Sequence, residues 1–263
     1  MRRVIGTLGA GLPHGWRDFW AQFLVFWTFY VGYELSAHLA NGERTLALEN
    51  GTRVIEVEKA LGIYVERSVQ QWTLNRAPAF FEWLANNTYF TCQFLISFGF
   101  MLFLYFRRNH AFYFVRNTVL FADLIALIGY FTLPTAPPRA FAGFVDTLHS
   151  QPINMQSSVV TLFGNPYAAM PSLHSAYALT LGVAAVCVFR SRVARTVAAL
   201  YPLLVIYAIV ATGNHFLLDA VAGACVAGLA AMLSLAVARG VLPRAGRAPR
   251  GFLVPRPQPL GAD

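Results

Sequence analysis

The chain has 263 residues, of which 57% are hydrophobic and 12% charged, against about 25% charged in an ordinary soluble domain. Several apolar runs reach the length of about 18 residues that marks a membrane-spanning helix, which excludes a soluble globular enzyme. The net charge of +8 lies in short segments between those runs rather than on one basic face, which excludes a nucleic-acid-binding module.

The opening stretch, "MRRVIGTLGAGLPHGWRD", has too weak an apolar core for a cleaved signal peptide. Six spans follow, at Phe19–Leu39, Tyr89–Phe106, Asn117–Leu133, Ser172–Phe189, Thr196–Thr212 and Phe216–Ala238. The last two are separated by "GNH", so the chain turns sharply there. The tail 241–263, rich in Pro, Gly and Arg, is expected to be disordered. Cys92, Cys187 and Cys225 all fall inside apolar runs, as small core or lipid-facing residues do, and give no disulfide framework.

The cations sort by side. Arg2, Arg3 and Arg17 precede the first span. Arg107, Arg108 and Arg116 follow the second, Arg190, Arg192 and Arg195 follow the fourth, and Arg239, Arg244, Arg247, Arg250 and Arg256 follow the sixth. By the positive-inside rule these segments and both termini are cytoplasmic. On the other side, Arg44, Arg53, Lys59, Arg67 and Arg76 are offset by Glu43, Glu49, Glu56, Glu58, Glu66 and Glu82, and Arg139 stands alone in the third loop. The expected architecture is all-α: a polytopic membrane bundle of six transmembrane helices, residues 1–240, with short extracytoplasmic interfacial helices in a cap at 41–80. Within that cap Ile55, Leu61, Val65, Val69 and Trp72 suit amphipathic helices on the outer leaflet. A folded cap without lipid contact is the alternative.

Three polar segments come to one face in this topology: "LPTAPPRAF" (133–141), "PSLHS" (171–175) and "GNHFLLD" (213–219). His215 and Asp219 are four apart and share a helical face. A carboxylate there can fix the imidazole tautomer and leave the other nitrogen free as base or nucleophile. His174, from another helix, supplies a second titratable group that can protonate a leaving oxygen. Arg139 can grip a phosphate bidentately. Ser172 fits a helix N-cap whose first turn presents free N–H groups to an anion. Asn214 and Tyr167 flank the motifs as candidate substrate contacts. Each piece also has a bland reading: an interfacial His, a satisfied polar pair, two ligands of a metal, or a rigid Pro turn. No nearby Glu or Cys completes a compact metal-ligand set around the pair, and no cofactor is called for.

"PSLHS" and "GNHFLLD" resemble the second and third signature motifs of the type-2 phosphatidic acid phosphatase superfamily, over roughly residues 120–235. The resemblance implies His215 as the nucleophile that forms a phosphohistidine, Asp219 as its orienting group, His174 as general acid, and no metal. The phosphatase branch carries a Lys and an Arg-Pro pair in its first motif, where this chain has "PTAPPR". It also carries Ser-Arg upstream of the third motif, where this chain has Ala208 and Ile209. "PTAPPR", "PSLHS" and "GNHFLLD" look closer to the inositol phosphorylceramide synthase and sphingomyelin synthase branch. That likeness implies a metal-independent phosphotransferase that moves a phospho-headgroup, inositol phosphate-like, from a lipid donor to a hydroxyl acceptor. A phosphomonoester carries nearly two charges at neutral pH and a diester one, so a site short of two cations favours diester donors. Lys59, Arg67 or Arg76 from the cap could restore the charge. A lipid phosphate or polyprenyl diphosphate phosphatase using water is the alternative, and a non-enzymatic lipid-binding membrane protein is the third reading. Expected partners are membrane lipids. The preference for Arg over Lys hints at a GC-rich bacterial genome, hence a bacterial plasma membrane, and the positive-inside sorting puts the site on the extracytoplasmic face.

Asp123, inside the third span, is read as a structural hydrogen-bonding group. Glu34 and His38 form a polar pair or a headgroup contact. His149 is either a gate or solvated.

Overall fold

The structure, a computed structural model, describes residues 12–39, 44–76, 78–148, 165 and 167–240. Arg2, Arg3, His149 and the tail 241–263 lie outside the described residues, as do the side chains of Glu34 and His38. Nine α-helices are described: α1 (Gly15–Leu39), α2 (Arg44–Ala60), α3 (Glu66–Asn75), α4 (Pro78–Thr91), α5 (Ser97–Arg107), α6 (Asn109–Thr132), α7 (Leu173–Val188), α8 (Arg192–Ala211) and α9 (Leu217–Ala238). A π-helical turn, Cys92–Ile96, joins α4 to α5, and the only β-type pairing among the described residues is one isolated bridge between Thr135 and Ala168.

Four helical segments are long and apolar enough to cross a membrane: Ala79–Arg107, α6, α8 and α9. Two of the six expected spans fall outside this group. The 16 residues of α7 rise about 24 Å, short of a hydrocarbon core of about 30 Å. The 25 residues of α1 are long enough, but Trp, Tyr and polar side chains dilute its hydropathy. All three cysteines are free thiols, Cys92 buried and Cys187 and Cys225 exposed.

Helices α6, α7 and α9 form the centre through small side chains. Ala122, Ala126, Ala176, Ala227 and Ala230 are buried against Tyr130, Leu173 and Val226, the close backbone approach that membrane helices favour. The tightest point is Gly223, where a Cβ would overlap the Ser172 carbonyl oxygen and Ser175 Oγ. Around it the Ser172 N–H donates to the Asp219 carbonyl at 3.0 Å, and the Ser175 hydroxyl donates to the Ala220 carbonyl at 3.1 Å. The π turn has a local cause: the Cys92 carbonyl accepts from the Ser97 hydroxyl at 3.0 Å and from the Tyr201 hydroxyl at 3.4 Å.

Arg116, expected in a cytoplasmic loop, lies two turns inside α6 and is buried. The break after α5 is the single residue Arg108, so "NHAFYFVR" already belongs to the helix. The Arg116 guanidinium donates to Gln22 and Asn117 and sits 5.2 Å from the Tyr113 ring centroid. Asp123 takes a hydrogen bond from the Tyr177 hydroxyl at 2.6 Å, in keeping with a structural role.

The cap helices α2 and α3 bury polar residues alongside small apolar ones: Ala47 and Val54 are buried, and Val69, expected on the outer leaflet, packs inward against the core. Glu58, Glu66, Gln70 and Thr73 are buried, while Leu61, Val65 and Trp72 are exposed. The cap is therefore folded onto the rest of the protein and still offers an apolar outer surface. Asn50 donates to the Pro134 carbonyl at 2.8 Å. Gln70 donates to the carbonyls of Val145 and Ala211 and accepts from the Val145 N–H. Asn86 of α4 pairs with Thr147. Together these contacts pin the cap to the third loop.

Candidate active site

Three chain segments meet at the ends of α6, α7 and α9, and backbone hydrogen bonds weld them. The Thr135 N–H donates to the Tyr167 carbonyl at 2.8 Å, and the Ala169 N–H donates to the Thr135 carbonyl at 3.2 Å. The Arg139 N–H donates to the Gly213 carbonyl at 2.9 Å. Gly213, at φ 70°, makes the left-handed turn out of α8 that a β-carbon would disfavour. The convergence expected from the motifs is thus present in the fold.

His215, buried, is the hub. Its Nδ1 lies 2.8 Å from the Ala169 carbonyl oxygen and 3.5 Å from Asp219 Oδ2. A carbonyl only accepts, so Nδ1 carries the proton and Nε2 is left with its lone pair. Burial and, secondarily, the Arg139 charge lower the His215 pKa to about 4, against the opposing pull of the Ala169 carbonyl. The imidazole is therefore neutral at neutral pH, as a nucleophile must be. Sequence assigned its orientation to Asp219 alone. The shorter contact belongs to a backbone carbonyl, and Asp219 Oδ2 instead accepts the Phe216 N–H at 2.8 Å, closing the first turn of α9.

His174 faces His215 with ring centroids 5.5 Å apart and planes tilted by 58°. Its other side stacks on Tyr89, 4.3 Å between centroids and 22° between planes. Tyr89 had been legible only as the first residue of a span, because nothing in a lone aromatic reports which ring it will meet. Arg139 is half-buried. Its guanidinium donates to Asn214 Oδ1, and Nε lies 3.4 Å from Asp146 Oδ2. The Asn214 amide also donates to Thr212 Oγ1 at 2.9 Å. Asn214 thus aims Arg139.

Ser172 is the N-cap of α7, accepting from the Ser175 N–H at 3.5 Å, and its side chain is buried. It organises the helix start instead of offering a free hydroxyl. Tyr167 contributes its carbonyl to Thr135, and its N–H donates to Asn165 Oδ1 at 2.8 Å. Of the cap cations, Lys59 Nζ sits 5.3 Å from the Tyr64 ring centroid and the Arg67 guanidinium lies against Gly143 of the third loop. Among the described residues no group of three or more His, Cys, Asp or Glu is arranged as a metal-ligand set.

The family model described as the PAP2 superfamily matches residues 52–233. The chain belongs to the PAP2 superfamily. Searches of curated proteins and of solved structures return no match. PAP2 members are generally phosphatases or phosphotransferases, and membership suggests activity on lipid phosphates. The matched region includes both histidines, Asp219, Arg139, Tyr89 and the inward-facing acids of the cap.

Proposed function

We propose that this PAP2 protein is an integral-membrane lipid phosphotransferase working through a phosphohistidine at His215. The carrying observation is the pairing of a neutral, Nδ1-protonated His215 with His174 across 5.5 Å, beside Arg139. In the first step His174 enters as the imidazolium, its charge offset by the anionic phosphate of the donor; His215 Nε2 attacks phosphorus, the bond from phosphorus to the leaving oxygen breaks, and His174 gives that oxygen its proton and becomes neutral. In the second step His174 takes the proton of an acceptor hydroxyl, which attacks phosphorus as the P–N bond breaks. Arg139 stabilises the equatorial oxygens. Every proton and leaving group is carried by these residues, so the chemistry asks for no metal.

We favour transfer over hydrolysis because Arg139 is the cation whose charge bears on His215; a phosphatase reading would need Lys59, Arg67 or Arg76 of the cap to supply a further positive charge. One cation suits a singly charged diester donor with an inositol phosphate-like headgroup. An aromatic-walled crevice that includes Phe26, Tyr30, Tyr33 and Phe94 reaches Tyr177, one turn from His174, and its walls suit an apolar chain.

The membrane arrangement proposed is six spans, with α1 and α7 added to the four long apolar segments. On α1, Trp20, Leu24, Val31 and Leu35 make an exposed apolar stripe. The cation distribution, with Arg116 left out, supports cytoplasmic termini and a site outside the cytoplasm, and the preference for Arg over Lys supports a bacterial plasma membrane. Residues 1–240 form one catalytic unit with the 41–80 cap.

The test is product mass spectrometry in ¹⁸O-water with lipid phosphomonoesters, diphosphates and phosphodiesters plus lipid alcohols, beside His215→Ala. Headgroup phosphate on an acceptor, absent in the variant, is the expected result. Heavy oxygen in released phosphate would instead identify the phosphatase.

A further inference from the structure

The first turn of α9 is closed by three carboxylates from three places in the chain. Asp219 Oδ2 accepts from Phe216 N at 2.8 Å, Glu66 Oε1 from Leu217 N at 2.8 Å, and Glu58 Oε1 from Leu218 N at 2.7 Å. All three acids are fully buried. Three consecutive amides directly after His215 are thus held, two of them by the cap. A helix N-terminus supports negative charge, but about half a unit of positive charge cannot balance three ions. The second oxygens, Glu58 Oε2, Glu66 Oε2 and Asp219 Oδ1, are buried without a hydrogen-bond partner.

We propose that Glu58 and Glu66 are positioning residues for His215, clamping the cap onto the start of α9 as a carboxyl–carboxylate pair that holds one proton between them. Carboxylates on adjacent amides cannot both stay ionised in a dry site. A proton on one turns two facing acceptors into a donor and an acceptor. Burial first, then Glu66 and Asp219, push the Glu58 pKa up to about 8 in spite of the Leu218 N–H. The other groups facing the pair are the Tyr64 phenol and, beyond it, Arg67 and Lys59. Loss of the shared proton puts a second charge in the clamp, loosens the cap, and lets the backbone that aims His215 shift. The hydrogen bonds of Glu58 and Glu66 go to the backbone that follows His215, at Leu218 and Leu217. Their effect runs through Leu217 and Leu218.

This inference rests on His215 being the phosphate-accepting group, so its test separates the two claims. Full-length protein in lipid nanodiscs is titrated by infrared spectroscopy for a protonated carboxyl. Orthovanadate, a phosphate mimic that histidine can ligate, is titrated in parallel over the same pH range. Wild type, Glu58→Gln and Glu58→Ala are compared. Expected is a carboxyl signal that disappears as pH rises through about 8, with vanadate affinity falling alongside it by about tenfold or more. Glu58→Gln, which can accept from Leu218 and donate to Glu66, removes both changes. Glu58→Ala binds vanadate weakly at every pH. An unaltered pH dependence in Glu58→Gln, or wild-type affinity in Glu58→Ala, overturns the proposal. Should Glu58→Ala fail to fold, the Gln variant decides alone. A wild type that shows the carboxyl titration and binds no vanadate sinks His215 as phosphate acceptor, and the positioning role with it.

Discussion

The Ala169 carbonyl oxygen, not the Asp219 carboxylate, makes the shorter contact to His215 Nδ1: 2.8 Å against 3.5 Å. A neutral acceptor fixes the tautomer without lending the imidazole a full negative charge. That combination keeps the ring unprotonated, with the His174 ring 5.5 Å away between centroids.

Asp219→Asn follows from this geometry. The amide oxygen can still accept the Phe216 N–H, and Ala169 still holds Nδ1, so the variant should fold and lose turnover by about 10- to 100-fold. Asp219→Ala also forfeits the cap, at about 1 kcal/mol of stability. Steady-state kinetics and thermal melts in detergent separate the two effects. Equal losses in both variants would mean that the charge and not the cap is what matters.

The pH dependence has a definite sign. The folded His215 pKa, about 4, lies below its unfolded value of about 6.5. Between these values the unfolded chain binds more protons, so the His215 contribution to stability is present above pH 6.5 and is lost as pH falls towards 4. Turnover limited by His215 protonation should likewise survive to about pH 5. Arg139→Gln removes the nearby charge, so the His215 pKa should rise and the acid limb should move to higher pH. An NMR titration of labelled histidine reads this directly.

Tyr89 should matter through its ring alone. Tyr89→Phe keeps the face stacked on His174 and should stay within about twofold of wild type in kcat. Tyr89→Leu loses an aromatic pair contributing about 1 kcal/mol and should lower kcat by about fivefold. If Phe and Leu behave alike, the stack does not position His174.

Gly223→Ala should be among the most damaging small changes. A methyl there overlaps Ser172 and Ser175, the start of the helix that carries His174. Overpacking of this kind destabilises by about 1–3 kcal/mol. Gly228→Ala, on the same helix with open space at its Cβ, is the control and should melt like wild type. The comparison needs only thermal unfolding and vanadate binding.

Apolar run length and motif spacing already carry the all-helical class and the three polar motifs, and they led to the expectation that these motifs meet, as the backbone bonds between them show. Those features are written in local composition: apolar run length, Pro and Ser at helix starts, and the i, i+4 spacing of His215 and Asp219. The Ser172 cap was legible for the same reason. What the tertiary structure alone decided involves groups far apart in sequence or lacking side-chain identity. The acceptor for His215 is a backbone carbonyl, which every residue possesses. Glu58 and Glu66 read as charge balance, because nothing local distinguishes a solvated Glu from one buried on amides about 150 residues away. Arg116 looked like a loop cation until Gln22, Asn117 and Tyr113 surrounded it inside α6. Burial and partner choice are properties of packing between elements, and hydrophobic periodicity does not fix even the inward face where polar groups find partners, as Glu58, Glu66, Gln70 and Thr73 do in the cap.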